Sequence, residues 1–266
     1  MSTTQGTVLI TGASTGIGAV YADRFARRGH DLVLVARDAA RMETLAERLR
    51  GQTDVAIEII AADLTADADV AKIEARLAKG DVAILINNAG MSLNGSILEN
   101  GPAELSRIIA LNITAPTRLA AAAAKVFVAK GEGAVVNIAS VLALAPEMFD
   151  GVYSGTKAHL LNLSQAMAAQ LTDKGVYTQA VLPGATRTEI WERSGKDVDA
   201  FPEGFVMAVD DLVDAALVGF DRREAVTIPP LPDMGQFDAM QQARAAMGPN
   251  LSKSAVAERY REAVAA

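Results

Sequence analysis

Three side chains in the second half of the sequence have the types and spacing of an acid-base centre. Tyr153 and Lys157 lie four residues apart in a segment that we expect to be helical, and Ser140 follows a predicted strand shortly before them. Side chains four residues apart share one face of a helix. A tyrosine with its ordinary pKa near ~10 becomes useful at neutral pH if nearby positive charge stabilises the tyrosinate by ~4 kcal/mol.

The chemistry that this pattern indicates is proton transfer to or from a substrate oxygen. Tyr153 is the predicted proton-transfer group, Lys157 the cation that tunes it, and Ser140 a hydrogen-bond partner of that oxygen. A tyrosine and a lysine at this spacing are by themselves more often a surface pair. The interpretation therefore depends on the other motifs of the chain.

A glycine-rich stretch near the start of the chain is the second motif. Residues 11–18 read Thr-Gly-Ala-Ser-Thr-Gly-Ile-Gly, after a predicted strand and at the opening of a predicted helix. Glycines permit the tight turn and the close approach of a pyrophosphate, which the free amides and the positive helix end would bind. In a βαβ unit this predicts dinucleotide binding, with an ordinary glycine-rich turn as the alternative. The expected contacts are Gly12, Ser14, Thr15, Gly16, Ile17 and Gly18.

The end of the second predicted strand bears on which dinucleotide is bound. Folds that select NAD usually place an acidic residue there, where it holds the ribose 2′-hydroxyl. Ala36 provides no acid, and Arg37 could pair with a 2′-phosphate. The sequence therefore favours NADP(H). Asp38 counts against this assignment, and a solvated or adenine-stacked Arg37 is the alternative.

In this order, the motifs resemble the short-chain dehydrogenase/reductase family, whose members of roughly 250 residues also carry the Asn-Asn-Ala-Gly turn found at residues 87–90. The resemblance extends from Thr7 to about Pro230. It implies an NADP(H)-dependent oxidoreductase that transfers a hydride between nicotinamide and a carbonyl or alcohol substrate. In that chemistry Ser140 polarises the oxygen, Tyr153 exchanges the proton, and Lys157 lowers the tyrosine pKa and binds the nicotinamide ribose.

The resemblance also assigns roles to further residues. Asn112 matches the residue that holds a water in a proton relay ending at Lys157. Leu142, Phe149 and Trp191 occupy pocket segments, together with Ser140, and favour an apolar or aromatic ketone or aldehyde as substrate. Besides Tyr153 and Lys157, further cofactor contacts are implied at Asp63, Leu64, Asn88, Ala89, Gly90, Pro183, Gly184 and Thr188.

Two other functions stay open beside carbonyl reduction. One is reduction of a 3-oxoacyl thioester within the same family. The other is a catalytically silent NADP(H)-binding scaffold, against which the intact Ser140, Tyr153 and Lys157 argue. The complete glycine motif argues against a lyase or dehalogenase branch. Family members usually form dimers or tetramers, so a homo-oligomer is expected.

Composition excludes several other classes of protein. The chain has 266 residues, with 25 Lys and Arg against 32 Asp and Glu, and a net charge of −7. Its scattered basic residues argue against nucleic-acid binding. With no cysteine and two histidines, a disulfide framework is impossible and a zinc alcohol dehydrogenase lacks its usual ligands, so no metal is expected. The N-terminus is unlike a signal peptide and no apolar run approaches ~18 residues, which predicts a soluble cytoplasmic protein that does not bind membranes.

Alternating strand and helix patterns must position these residues. They predict an α/β protein with a parallel sheet, and the resemblance implies a single-domain, doubly wound Rossmann fold of about seven strands across residues 1–266. At about 231–266 a C-terminal tail carries Phe237, Met240 and Met247 roughly along one helical face. We expect it to pack over the substrate cleft or against a second subunit. The predicted strands are residues 7–11, 31–36, 55–61, 82–87, 134–139, 176–182 and 225–229.

Overall fold

Aliphatic runs rich in Val, Ile and Leu form the strands of a single parallel sheet. The computed structural model describes residues 5–95, 97–195 and 197–261, and within these the sheet has seven strands in the order β3-β2-β1-β4-β5-β6-β7. Successive strands are added in one direction from β1 to β3 and in the opposite direction from β4 to β7, so the switch point of this doubly wound fold lies between β1 and β4. The strands are β1 (Thr7–Thr11), β2 (Asp31–Ala36), β3 (Ile57–Ala61), β4 (Val82–Asn87), β5 (Gly133–Ile138), β6 (Val176–Val181) and β7 (Val226–Thr227).

Helices cover both faces of the sheet, which explains why the central strands are apolar at nearly every position. One buried cluster joins the sheet to the helices that carry Phe25, Met42 and Val213. A second cluster on the other face includes Ile73 and Phe127. The helices are α1 (Gly16–Arg27), α2 (Ala39–Arg50), α3 (Asp67–Leu77), α4 (Pro102–Ile109), α5 (Ala115–Lys130), α6 (Gly151–Leu171), α7 (Ile190–Arg193), α8 (Val209–Asp221) and α9 (Gly235–Met247).

The sheet and its covering helices form one compact unit, Met1–Pro230, and Leu231–Ala266 forms a second, small unit that contains α9. Within the second unit the predicted apolar face is unevenly covered. Phe237 is buried, whereas Met240 and Met247 are exposed. Among the described residues, no helix has both the length and the apolarity that crossing a bilayer requires.

The predicted fold class is confirmed, and the strand ends differ from prediction mainly at the edges of the sheet. β1, β2 and β4 have the predicted bounds, and β3, β5 and β6 differ by one or two residues. The prediction was wrong at β7, which pairs with β6 only through Val226 and Thr227. Pro229 and Pro230 follow, and because proline has no backbone N–H it cannot extend the ladder.

Candidate active site

The turn from β1 into α1 depends on glycines at which the backbone packs closely, and it leaves the start of a helix uncapped. Gly12 and Gly16 have positive φ angles of 67° and 55°. A Cβ at Gly12 would lie 2.7 Å from Asn88 Nδ2, and one at Gly18 would clash with the Gly12 carbonyl oxygen. Helix α1 has no side-chain cap at Thr15, so its first amides and positive dipole end remain available. These features fit the pyrophosphate of a dinucleotide.

The Asn-Asn-Ala-Gly turn after β4 is tied directly to this glycine loop. Thr11 Oγ1 accepts hydrogen bonds from the amides of Asn88 and Ala89, each at 3.0 Å. Asn88 Nδ2 donates to the carbonyl oxygens of Thr11 and Gly12 at 2.9 and 3.1 Å. The side chain of Asn88 therefore fixes the loop that would bind the cofactor.

At the end of β2, Asp38 has a structural role that is compatible with the predicted cofactor contact of Arg37. Asp38 is the N-cap of α2, and its carboxylate accepts a hydrogen bond from the Arg41 amide at 3.0 Å. The carboxylate therefore has a structural role at the helix start. Arg37, immediately before it, is exposed at the strand end, where a 2′-phosphate would lie.

Asp63 and Leu64 follow β3, and they differ in which of their groups could contact a cofactor. The Asp63 carboxylate accepts from the Thr65 amide at 3.0 Å and from its hydroxyl at 2.8 Å. The bond from the Thr65 amide, with a smaller contribution from the charge of Arg37, holds the pKa of Asp63 below its usual value. The side chain of Leu64 is part of the hydrophobic core, so this residue could contact a cofactor only through its backbone.

The three predicted acid-base residues converge beyond the end of β5. Ser140 and Lys157 are buried. Tyr153 stands in the first turn of α6, which Asp150 caps by accepting hydrogen bonds from the amides of Val152 and Tyr153. The Ser140 hydroxyl accepts a hydrogen bond from the Leu142 amide at 3.2 Å and contacts the Pro183 carbonyl at 3.5 Å. Lys157 Nζ lies 5.6 Å from the centre of the Tyr153 ring and donates to the Ile138 carbonyl at 2.8 Å.

The electrostatics of the protein alone differ from those expected for the complete site. Burial raises the pKa of Tyr153 to about 12, and the side chain of Ser140 only partly offsets this. Burial also lowers the pKa of Lys157 to about 8. The sequence-based expectation of a lowered tyrosine pKa rests on Lys157 together with the positive ring of an oxidised nicotinamide. In the protein alone the effect of burial prevails, and the oxidised ring would add the second positive charge beside Tyr153.

The lowered pKa of Lys157 predicts a pH dependence. Lysine is charged below its pKa, so the ammonium is lost as the pH rises through about 8, whereas an unperturbed lysine keeps its charge to ~10.4. We expect kcat/KM for NADPH, which reports groups of the free enzyme, to fall above pH 8. Lys157→Arg, which stays charged, should remove this fall at reduced activity. A wild-type profile that stays flat to pH 10 would contradict the assignment.

Asn112 lies in a π-helical turn, Ala110–Thr114, between α4 and α5. Its buried side chain donates to the Met91 carbonyl at 2.8 Å and to Thr156 Oγ1 at 3.1 Å, and accepts from the Met91 amide at 2.9 Å. A Cβ on Gly90 would lie 3.4 Å from Asn112 Oδ1 and 3.5 Å from Lys157 Nζ. Because Gly90 has no side chain, the space between these two polar groups stays open, as a water relay requires.

The segment after β6 contacts both the glycine loop and the catalytic loop. The carbonyl of Pro183 accepts from the Val141 amide at 2.9 Å. Gly184 lies against Pro230. A Cβ on Gly16 would lie 3.2 Å from Thr188 Cγ2, which places Thr188 beside the phosphate-binding turn. The predicted cofactor residues therefore line one edge of the sheet.

A row of aromatic rings extends outward from Tyr153. The Phe149 ring meets the Tyr153 ring edge to face at 5.9 Å and the Trp191 ring at 6.4 Å. Trp191 in turn contacts Phe201 at 4.9 Å, and Phe201 stacks on Phe205 at 5.4 Å. Leu142, the remaining predicted pocket residue, lies in a short 3-10 helix next to Ser140. The predicted pocket residues thus lie beside the acid-base centre.

Sequence reasoning missed three residues that shape this site. Asp150, an acidic residue immediately before a helix, carried a capping signal that could have identified it. Thr156 lies between Tyr153 and Lys157 and could have been tested as a helical neighbour. Glu189 pairs with a residue 148 positions away, and no local pattern reports such a contact.

Comparison with known proteins defines the class to which this fold and site belong. A family model described as short chain dehydrogenase matches residues 6–199. The chain belongs to this family of oxidoreductases. The seven-stranded sheet, the glycine turn and the order of the motifs agree with that assignment.

Two solved structures cover almost the whole chain. A short-chain dehydrogenase from Sphingobium yanoikuyae, in complex with NADPH, is 56% identical, with a TM-score of 0.94 over 96% of this chain and 100% of that one. A bulky-bulky ketone specific alcohol dehydrogenase from Comamonas testosteroni is 50% identical, with a TM-score of 0.90 over 97% of this chain and 100% of that one.

More distant relatives are longer proteins. A very-long-chain 3-oxoacyl-CoA reductase from Bos taurus is 32% identical over 189 residues, which are 68% of this chain and 60% of that protein. The chain thus spans about three fifths of the length of the curated relatives it matches.

Proposed function

We propose that this protein is an NADP(H)-dependent carbonyl reductase that acts on ketones or aldehydes with apolar or aromatic substituents. The observation that carries this proposal is the convergence of three side chains: Lys157 Nζ lies 5.6 Å from the centre of the Tyr153 ring, and Ser140 and Lys157 are both buried. The aromatic ring of Phe149 packs against Tyr153. The Comamonas testosteroni enzyme, named for bulky-bulky ketones, supports large groups on both sides of the carbonyl. The Sphingobium yanoikuyae structure with NADPH supports the cofactor.

The first task of the chain is to hold the cofactor. The turn at Gly12 and Gly16 and the uncapped start of α1 bind the pyrophosphate, and Arg37 pairs with the 2′-phosphate. Lys157 reaches the nicotinamide ribose from α6. When bound, NADPH supplies the hydride that reduces the carbonyl carbon.

The second task is to activate the carbonyl oxygen. Ser140 orients and polarises this oxygen by donating a hydrogen bond. Tyr153 gives its phenolic proton to the oxygen as negative charge develops there. Lys157 stabilises the resulting tyrosinate, and the open space beside Gly90 lets a water at Asn112 return a proton through Lys157.

A substrate screen tests this function. NADPH oxidation is followed with bulky aromatic ketones, small aldehydes and 3-oxoacyl thioesters at equal concentrations. We expect the aromatic ketones to have the highest kcat/KM. The similarity to the bovine 3-oxoacyl-CoA reductase makes thioester reduction the second candidate, and a clear preference for thioesters would establish it instead. No turnover with any of them, despite NADPH binding, would favour the silent scaffold.

We further propose a homo-oligomer, dimer or tetramer, located in the cytoplasm. The cytoplasmic location rests on an acidic composition without cysteine, which needs no oxidising compartment. The oligomer rests on the exposed apolar side chains of residues 231–266, which include Met247, Leu251 and Tyr260. Exposed apolar groups of this number favour burial against a partner.

Removing this tail gives a direct test of its role. In a chain that ends at Asp233, we expect a smaller oligomer or a several-fold change in substrate KM. Replacing Met247 and Leu251 by serine in the full-length chain is the milder variant and should act in the same direction. Light scattering and steady-state kinetics measure the two effects. Unchanged mass and unchanged KM in both variants would make the tail dispensable.

A further inference from the structure

An ion pair joins two distant parts of the chain above the carboxyl edge of the sheet. Arg41 lies in the first turn of α2, after β2, and Glu189 immediately precedes α7, after β6. Arg41 Nη1 lies 2.8 Å from each carboxylate oxygen of Glu189. Three strands separate β2 from β6 in the sheet, so this contact crosses the region in which the cofactor would lie.

The pair belongs to a small network of charges. Asp38 lies 3.4 Å from Arg41 Nε, and Arg193, one turn further along, also pairs with Glu189. The hydrogen bond from Arg41 is the main reason why the pKa of Glu189 lies below its usual value. An isolated exposed ion pair contributes little to stability. In this pair Asp38 contacts Arg41 and Arg193 contacts Glu189, so the geometry of the pair is better defined than that of an isolated one.

One side of the pair faces the phosphate-binding loop. Arg41 and Glu189 line a cleft of about 380 Å³ whose other walls include Ser14 and Thr15. Thr188, next to Glu189, lies against Gly16 of the same loop. The segment around Glu189, which pairs with Arg41, therefore lies directly beside the predicted pyrophosphate site.

The other side of the segment reaches the acid-base centre. Trp191 follows Glu189 by two residues, contacts Phe149, and donates from Nε1 to the Thr186 carbonyl at 2.7 Å. Phe149 in turn contacts the Tyr153 ring. Residues 188–195, which we call the lid, thus connect the Arg41 contact with the aromatic wall of the pocket.

We propose that the Arg41–Glu189 pair is a latch that holds the lid closed over the bound cofactor. This makes Glu189 a positioning residue, because it acts through the lid without touching the reacting atoms. The identity of the cofactor beneath the lid rests on the function proposed above. Ser140, Tyr153 and Lys157 lie outside the lid, so we expect opening of the latch to act first on cofactor release.

The latch can be tested first without any cofactor. Trp191 is the single tryptophan of the chain, so its fluorescence reports on the lid alone. We expect Glu189→Gln and Arg41→Gln each to increase quenching of Trp191 by acrylamide, and the double variant to show no further increase.

A matched control comes from the same helix. Glu43 pairs with Arg50 on the exposed surface of α2, and its ion pair does not involve the lid. Glu43→Gln removes the same charge and should leave Trp191 quenching unchanged. Quenching in Glu189→Gln that equals that of Glu43→Gln, or single effects that add in the double variant, would overturn the latch.

Release of NADH, measured by stopped-flow fluorescence, gives the second readout. NADH is used because it lacks the 2′-phosphate, so a direct contact between Arg41 and that phosphate cannot affect the measured release rate. Loss of one exposed ion pair predicts release about two- to five-fold faster in Glu189→Gln and Arg41→Gln alike. Unchanged release in Glu189→Gln would contradict the latch. The quenching experiment does not depend on turnover. A negative result there would overturn the latch without affecting the proposed carbonyl reduction, and a lack of turnover would not affect the latch.

Discussion

Tyr153→Phe is expected to lower kcat by about 10²- to 10⁴-fold while leaving the dissociation constant for NADPH within a few-fold of wild type. The substitution removes only the phenolic oxygen, which is the proton donor. The ring that packs on Phe149 at 5.9 Å is retained, so the site should keep its shape. Ser140 keeps its hydrogen bond from the Leu142 amide.

Tyr21→Phe provides a matched control for this variant. Tyr21 is fully buried in α1, and its hydroxyl has no hydrogen-bond partner among the described residues. Removing that hydroxyl is the same chemical change outside the site, and activity should stay within about two-fold, as for a substitution away from the chemistry. If Tyr153→Phe kept most of its activity, or if both variants lost it equally, the mechanism assigned to Tyr153 would be wrong.

The second large effect is expected on the choice between the two dinucleotides. Wild type should prefer NADPH, because Arg37 is exposed at the end of β2, where we propose that it pairs with the 2′-phosphate, and Ala36 offers the NADH ribose no acceptor. Charge-assisted hydrogen bonds contribute about 1.5–3 kcal/mol each, which corresponds to a preference of roughly ten- to a hundred-fold at an exposed position. Ala36→Asp with Arg37→Gln should reverse the order of the two kcat/KM values.

Arg50→Gln is the control for the loss of a positive charge near α2. Arg50 lies at the far end of that helix and pairs with Glu43, away from the predicted phosphate position. It should keep the wild-type ratio of the two kcat/KM values. A wild type that prefers NADH, or a double variant that keeps the wild-type ratio, would show that Arg37 does not select the cofactor.

The parts of the fold that repeat a local pattern could be predicted from the sequence. β1, β2 and β4 are continuous aliphatic runs that end at a glycine or polar residue, and their bounds were predicted correctly. The bounds of β7 could not be predicted in this way, since β7 is an edge strand whose length depends on its partner β6 and on the prolines that follow.

The candidate site residues could be proposed from the sequence, but their electrostatics could not. The spacing of Tyr153 and Lys157 is a local property of a helix. The pKa of Tyr153 depends on burial by segments far away in the chain, and in the protein alone this burial raises it. The π-helical turn around Asn112 and the pairing of Arg41 with Glu189 likewise arise only from tertiary contacts.

The most direct test of the central claim is to follow the hydride itself. The protein is incubated with NADPH that carries deuterium at the transferring position of the nicotinamide and with a bulky aromatic ketone, and the alcohol is analysed by mass spectrometry. We expect one deuterium on the carbinol carbon with wild type, and no labelled alcohol with Tyr153→Phe over the same time. Wild-type protein that binds NADPH but yields no labelled alcohol from any carbonyl substrate would contradict the assignment as a reductase.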